Sequence, residues 1–313
     1  MTRIHKGDQA FDNDGLMGTE TEMPFSGARS FMRRKYTRDL KGANWAVMGV
    51  PYDLSTAGRP GARLGPHAIR NASSQLAWGE VWPWGFDPFD RLAVVDYGDV
   101  FYRRGQPGEM LKAAEAQAKA VIEAGVKLMT LGGDHMVTYP LLKAHAEKYG
   151  PLALIQFDAH RDTANSEFLD HGTFLHHAVK DGFVDPARSI QIGIRTHYDH
   201  SDPMRILYRP DMRAMGSAAV AAEIRSVTAG QACYLTFDID CFDPAFAPGT
   251  GTPVVDGLHP HEAIDVIRLL GDVNIVGMDV VEVAPPYDVS ENTALLAASV
   301  ALEFLCGRAK AVR

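Results

Sequence analysis

Cysteine is scarce in this chain: Cys233, Cys241 and Cys306 are the only three in 313 residues. Three thiols cannot close a disulfide framework and none has metal-finger spacing, so reduced thiols in a cytoplasmic protein are expected. Basic runs are also lacking. The longest is Arg33-Arg34-Lys35, and with a net charge of −8 the chain offers no nucleic-acid surface. No apolar run reaches membrane length, and the polar N-terminus has neither the basic start nor the apolar core of a signal peptide. Phosphate-loop fingerprints are missing as well. The Gly-rich segment Gly49–Gly65 carries neither Gly-x-Gly-x-x-Gly nor Gly-Lys-Ser/Thr, which leaves a shaped loop at an active-site mouth as its reading. No linker rich in Ser, Gly or Pro divides the chain. An arm over residues 1–40, without sustained periodicity, is expected to precede a single domain at 41–313. A modest negative field favours a cationic small substrate over an anionic polymer.

From Trp45 onward a rhythm is present: a short apolar run, a turn bearing Gly or Asp, then a helical stretch. The runs are Ala46–Val50, Leu92–Asp96, Lys127–Leu131, Leu152–Phe157, Ile190–Ile194, Tyr234–Phe237 and Asn274–Val283. Near-continuous hydrophobicity marks strands buried on both faces, as in a parallel sheet between helices. The helical intervals are Pro107–Ala124, which Gly125 stops, Val137–Tyr149, His261–Leu270 and Asn292–Leu305. This alternation predicts an α/β fold with a mostly parallel sheet, in which ligands bind beyond the carboxyl ends of the strands.

The polar oddities gather there. Lys127–Leu131 runs into Gly132-Gly133-Asp134-His135, Leu152–Phe157 into Asp158-Ala159-His160-Arg161-Asp162, and Tyr234–Phe237 into Asp238 and Asp240. The run Asn274–Val283 carries Asp279, read as structural, and Glu282 near its end. Four consecutive βα units are thus expected to deliver these groups to one edge of the sheet. Taken singly, each fragment has a plain alternative: a turn histidine, a solvated loop, a salt-bridge partner. Their coincidence at successive strand ends is the signal. Residues i and i+2 of a strand share a face, so Asp238 and Asp240 repel and lose hydration unless a cation sits between them. Two His and four Asp, with no Cys, suit a hard-to-borderline divalent cation. Six ligands exceed what one catalytic ion needs, so two bridged ions fit better, and four carboxylates offset two dications.

Gly132–His135, Phe157–Asp162 and Thr236–Pro253 resemble the three signatures of the ureohydrolase family of arginases, agmatinases and relatives. The resemblance continues through Gly49–Arg70, Asp170–Thr173, Gln191–Arg195 and Asn274–Asp288, and covers most of the chain from about residue 30; agmatinase is the member type it resembles most. It implies a three-layer α/β/α arginase-like fold and two Mn2+ per subunit. One ion would take His135, Asp158, Asp162 and Asp238, and the other His160, Asp158, Asp238 and Asp240. It implies hydrolysis of agmatine to putrescine and urea by a metal-bridging hydroxide, in a homo-oligomer (trimer or hexamer). Glu282 matches the glutamate that binds the guanidinium, His171 the proton-transfer histidine, and Thr252 a pocket threonine. His171 has a second reading as a cap for a helix starting near Gly172.

One position departs from the family pattern: Arg161 stands where a small residue is usual. Turned outward, it would pair with a carboxylate and leave the chemistry alone. Facing the pocket, it would favour a guanidino acid such as 4-guanidinobutyrate or 3-guanidinopropionate. In the adjoining loop Glu167 and Asp170 are each able to neutralise Arg161 or to meet an amine tail. A catalytically silent homologue would lack ligands, and none is missing.

Overall fold

The computed structural model describes residues 16–17, 23, 25–197 and 202–312. Nine strands form one sheet: β1 (Lys35–Tyr36), β2 (Trp45–Gly49), β3 (Val94–Asp99), β4 (Lys127–Leu131), β5 (Ala153–Phe157), β6 (Ile190–Ile194), β7 (Arg205–Tyr208), β8 (Cys233–Asp238) and β9 (Ile275–Val281). Their order is β1-β3-β2-β4-β9-β8-β5-β6-β7, and every ladder is parallel. The expected mostly parallel sheet is parallel throughout its ladders. The helices are α1 (Gly65–Ser73), α2 (Pro107–Glu123), α3 (Thr138–Tyr149), α4 (Phe174–Lys180), α5 (Arg209–Met215), α6 (Ser217–Thr228), α7 (Pro260–Leu269) and α8 (Asn292–Ala311).

Alternation along the strands divides the core in two. Trp45 and Val47 of β2 face one hydrophobic cluster with α1, α6, α7 and α8, whereas Ala46 and Met48 face another with α2, α3 and α4. The sheet is thus sandwiched between helical layers, giving the expected α/β/α arrangement. The long helix α8 is buried almost continuously from Thr293 to Ala309, and its Phe304 ring meets Trp45 edge-on at 5.2 Å. Gly125, at φ +79°, ends the α2 segment as its sequence position implied. Part of the expected arm belongs to the sheet layer: β1 pairs with β3, and Phe31 and Met32 are fully buried. Residues 1–15 of that arm lie outside the described residues. Among the described residues, no helix is long and apolar enough to cross a membrane.

The strands that carry the candidate site, β4, β9, β8 and β5, are neighbours at the centre of the sheet. They are consecutive in the sheet and not in the chain, because β6 and β7 intervene between β5 and β8. The chain leaves β4 and re-enters three places away at β5, so a crevice opens at their carboxyl ends.

Candidate metal centre and active site

The turn after β4 can be tight only because Gly133 has no side chain: a Cβ there would lie 1.7 Å from the Tyr52 carbonyl oxygen. The Asp134 amide donates to that same oxygen at 2.8 Å, and the turn delivers His135 into a short 3-10 segment, His135–Val137. The segment after β5 brings Asp158, His160 and Asp162, with Asp162 in a left-handed conformation at φ +53°. The end of β8 brings Asp238, whose Oδ1 accepts from the Asp240 amide at 2.7 Å.

These side chains converge. His135 Nδ1 lies 2.9 Å from Asp162, 3.2 Å from Asp238 and 3.3 Å from Asp158, while His160 Nδ1 lies 3.0 Å from Asp240 and 3.5 Å from Asp158. Two groups could each hold a cation, His135/Asp158/Asp162 and Asp158/His160/Asp240; Asp158 is common to both, and Asp238 lies beside the first.

The hydrogen bonds decide what the cluster asks for. Thr236 Oγ1 donates to Asp279 Oδ1 at 2.6 Å, so Thr236 Oγ1 itself accepts from His135 Nε2, 2.8 Å away. That places a proton on Nε2 and aims Nδ1 at three carboxylates, with no hydrogen bond among the described residues; burial lowers the proton affinity of the ring, but Asp158, Asp162 and Asp238 outweigh it and hold its pKa well above the usual imidazole range. Only a positive charge on that line is compatible with such a geometry. Without a metal, protons must supply it. Burial, aided by the Asp158 charge, pushes the Asp162 carboxyl up to about 7. Burial, Asp240 and Asp158 push Asp238 well above the usual carboxylate range. For His160 burial acts downward, but Asp240 and Asp158 override it and lift the ring to about 12. A carboxylate–imidazole set that must borrow protons from neighbours fits a divalent metal pair.

Supporting partners sit behind the ligands. Asp279, fully buried, accepts from Thr138 Oγ1 and Tyr234 OH at 2.9 Å as well as from Thr236, so its role reaches His135 through Thr236. Gln156 Nε2 donates to Asp158 Oδ2 at 2.7 Å, and Gln191 Nε2 donates to Gln156 Oε1 at 2.8 Å. Arg161 is buried and turned away from the cleft. It donates through Nε to Gln191 and through Nη2 to both oxygens of Asp202, which settles its pairing with Asp202 and not with Glu167 or Asp170. The position of Arg195 was not singled out from sequence as functional, yet its guanidinium donates to the carbonyls of Asp240, Cys241 and Val254 and joins the ligand loop to the cleft loop.

A cleft of about 170 Å³ opens over the cluster, with Ala57, Asp170, His171 and Thr252 on its wall. Thr252 Oγ1 donates to Asp240 Oδ2 at 3.3 Å. Glu282 has a left-handed backbone at φ +63°, a conformation that costs about 1–3 kcal/mol for a non-glycine residue. Its Oε1 accepts from the His135 amide and lies 2.9 Å from His171 Nδ1, whereas its buried Oε2 has no hydrogen-bond partner among the described residues. His171 Nε2 accepts from the Ala57 amide at 2.9 Å, which places the ring proton on Nδ1, on the Glu282 side. Burial lowers the proton affinity of His171, but Glu282, Asp162 and Asp134 outweigh it and lift its pKa to about 9, so the ring is ready to exchange the Ala57 contact for a second proton. It caps no helix; α4 begins at Phe174.

A model of the arginase family matches residues 43–307. An agmatinase of Chromobacterium violaceum is 52% identical over 304 residues, covering 96% of this chain and 94% of that protein. The crystal structure of a hypothetical agmatinase from Burkholderia thailandensis superposes with a TM-score of 0.95 at 50% identity, covering 97% of this chain and 98% of that one. Proclavaminate amidino hydrolase from Streptomyces clavuligerus superposes with a TM-score of 0.87 at 35% identity, covering 93% and 100%. With a match of this extent, and with the family's strand-end residues gathered around one cleft, the chain belongs to the arginase family.

Proposed function

We propose that this chain is an agmatinase-type amidinohydrolase that converts agmatine to putrescine and urea, a step of polyamine biosynthesis, with two Mn2+ held by His135, Asp158, His160, Asp162, Asp238 and Asp240. The observation that carries the reading is His135 Nδ1 aimed at three carboxylates beside a cleft, in a chain half identical to proteins named agmatinase. When bound, the metal pair would supply Lewis-acid activation of water and offset the carboxylate charge. The chain's own groups would do the rest. Glu282 Oε2, buried and without a hydrogen-bond partner among the described residues, is an acceptor for the N–H groups of a guanidinium, a charge-assisted and directional contact. His171 Nε2 is the site at which a proton is held for the leaving amine, while Glu282 Oε1 fixes the other ring nitrogen. Thr252 lies on the cleft wall beside Asp240 and helps shape the substrate pocket. A homo-oligomer is part of the same reading, with sedimentation as its check.

Urea release by the Mn2+-loaded protein from agmatine, arginine, 4-guanidinobutyrate and 3-guanidinopropionate tests the substrate. Agmatine is expected to have the highest kcat/KM, because Arg161 is engaged by Asp202 and no Lys or Arg lines the cleft among the described residues. Preference for a guanidino acid would overturn the agmatine assignment and keep the reaction class.

A further inference from the structure

Two of the acidic groups on the cleft wall, Asp162 and Asp238, belong to the cation cluster. Asp170 is the carboxylate on that wall left without such an engagement. Its backbone is pinned: the Asp170 amide donates to Thr173 Oγ1 at 2.8 Å, and the Thr173 hydroxyl donates to the Phe168 carbonyl at 2.8 Å. One carboxylate oxygen is used locally, since Oδ1 accepts from the Gly172 amide at 2.9 Å. Oδ2 takes no hydrogen bond among the described residues. The residue is only half buried, so water solvates that oxygen until a ligand replaces it.

The cations nearest in sequence to the cleft loops are all committed elsewhere. Arg59 donates to the Thr250 carbonyl and stacks on Tyr287, Arg63 pairs with Asp53, and Arg161 pairs with Asp202. A carboxylate tail entering this cleft therefore meets an acidic wall and no fixed cation, whereas an ammonium tail meets a held acceptor. Glu167, the other acidic side chain of the loop, is exposed and is not on the wall.

We propose that Asp170 is a specificity-determining residue whose Oδ2 accepts a hydrogen bond from the terminal ammonium of the substrate, and so selects guanidino amines over guanidino acids and alkylguanidines. The inference rests on the proposed function for the identity of the reacting end. It goes beyond it in assigning the opposite end of the substrate to a named atom. A preorganised, charge-assisted contact of this kind changes affinity by about 10- to 100-fold.

The test compares wild type, Asp170→Asn and Asp170→Ala as Mn2+-loaded full-length protein. Substrates are agmatine and pentylguanidine, which carries a methyl group where agmatine has its ammonium. Asn keeps the Oδ1 acceptor for Gly172 and the side-chain shape. The ratio of kcat/KM for agmatine over pentylguanidine is expected to fall at least 10-fold in D170N and D170A, mostly through KM for agmatine. An unchanged ratio, with both substrates falling together or neither falling, would overturn the proposal and leave Asp170 a loop-shaping residue. Calorimetric titration with putrescine reads the ammonium contact without chemistry, and a Kd at least 10-fold weaker in D170N is expected. Equal putrescine affinity in wild type and D170N overturns the assignment. If the wild type releases urea from neither guanidine while putrescine binding still depends on Asp170, the proposed function fails and the ammonium site stands.

Discussion

Arg161 Nη2 holds Asp202 through both carboxylate oxygens, at 2.9 and 2.8 Å, while Nε of the same guanidinium donates to Gln191. From Gln191 a chain of amide hydrogen bonds runs through Gln156 to Asp158, every donor pointing toward the candidate ligand. Outer partners of this kind typically change metal affinity by about 10- to 100-fold. Arg161→Lys keeps the charge but loses the planar fork. It is expected to weaken Mn2+ binding by at least about 10-fold in calorimetric titration. Affinity equal to wild type would show that the chain of amides does not act on Asp158.

In the proposed reaction His171 and Glu282 act on the same end of the substrate. His171→Asn is expected to lower kcat for urea release by about 10²- to 10⁴-fold, the usual size of a general acid–base contribution. Bound Mn2+, measured by elemental analysis, should stay at the wild-type level. Loss of metal along with activity would move His171 from proton transfer to metal support.

Asp279 accepts from three hydroxyls in a site closed to solvent. Asp279→Ala strands all three donors, and each buried unsatisfied group costs about 1–3 kcal/mol. The metal-free protein is expected to lose at least about 3 kcal/mol of unfolding free energy in urea, on the lower end of that range for each hydroxyl. A loss below about 1 kcal/mol would mean the hydroxyls find water or new partners.

His145 is fully buried on α3, with Nδ1 at 2.7 Å from the Leu141 carbonyl oxygen and no partner at Nε2 among the described residues. Burial, which outweighs the Leu141 hydrogen bond, pushes its pKa down to about 4. The unfolded ring takes up its proton near pH 6.5, so between pH 6.5 and about 4 the unfolded state binds more protons than the folded state. This group's contribution is therefore intact above pH 6.5 and is lost as pH falls toward 4, by up to about 3 kcal/mol. The urea midpoint of His145→Leu is expected to fall less between pH 7 and 4.5 than that of the wild type. Parallel pH profiles would contradict a neutral buried His145.

The central strands and the ligand-type residues were legible because both signals are local. A buried parallel strand reads as an unbroken apolar run, and a carboxylate or imidazole at its end is conspicuous against it. The short helices were less so. In α1 the Gly65-Pro66 start, and in α6 the small residues Ala218, Ala219, Ala221 and Ala222, dilute the helical period. The two-residue β1 and the edge strand β7 are too brief to show alternation. What the site needs from outside its motifs was hidden for a different reason. The Ala57 amide, the Asp202 carboxylate and the bonds of Arg195 act across long sequence separations, which no spacing rule reports. A signal did exist for the amide chain: Gln156 and Gln191 are polar residues inside otherwise apolar strands, where an unpaired amide would be costly.

The most direct test of the account is urea release from agmatine as the metal-free protein is titrated with Mn2+. No urea is expected without metal, and the rate is expected to rise to a plateau at two equivalents per chain, with putrescine formed in equal amount. Full activity in metal-stripped protein, or a saturated dinuclear site that releases no urea from agmatine, would contradict it.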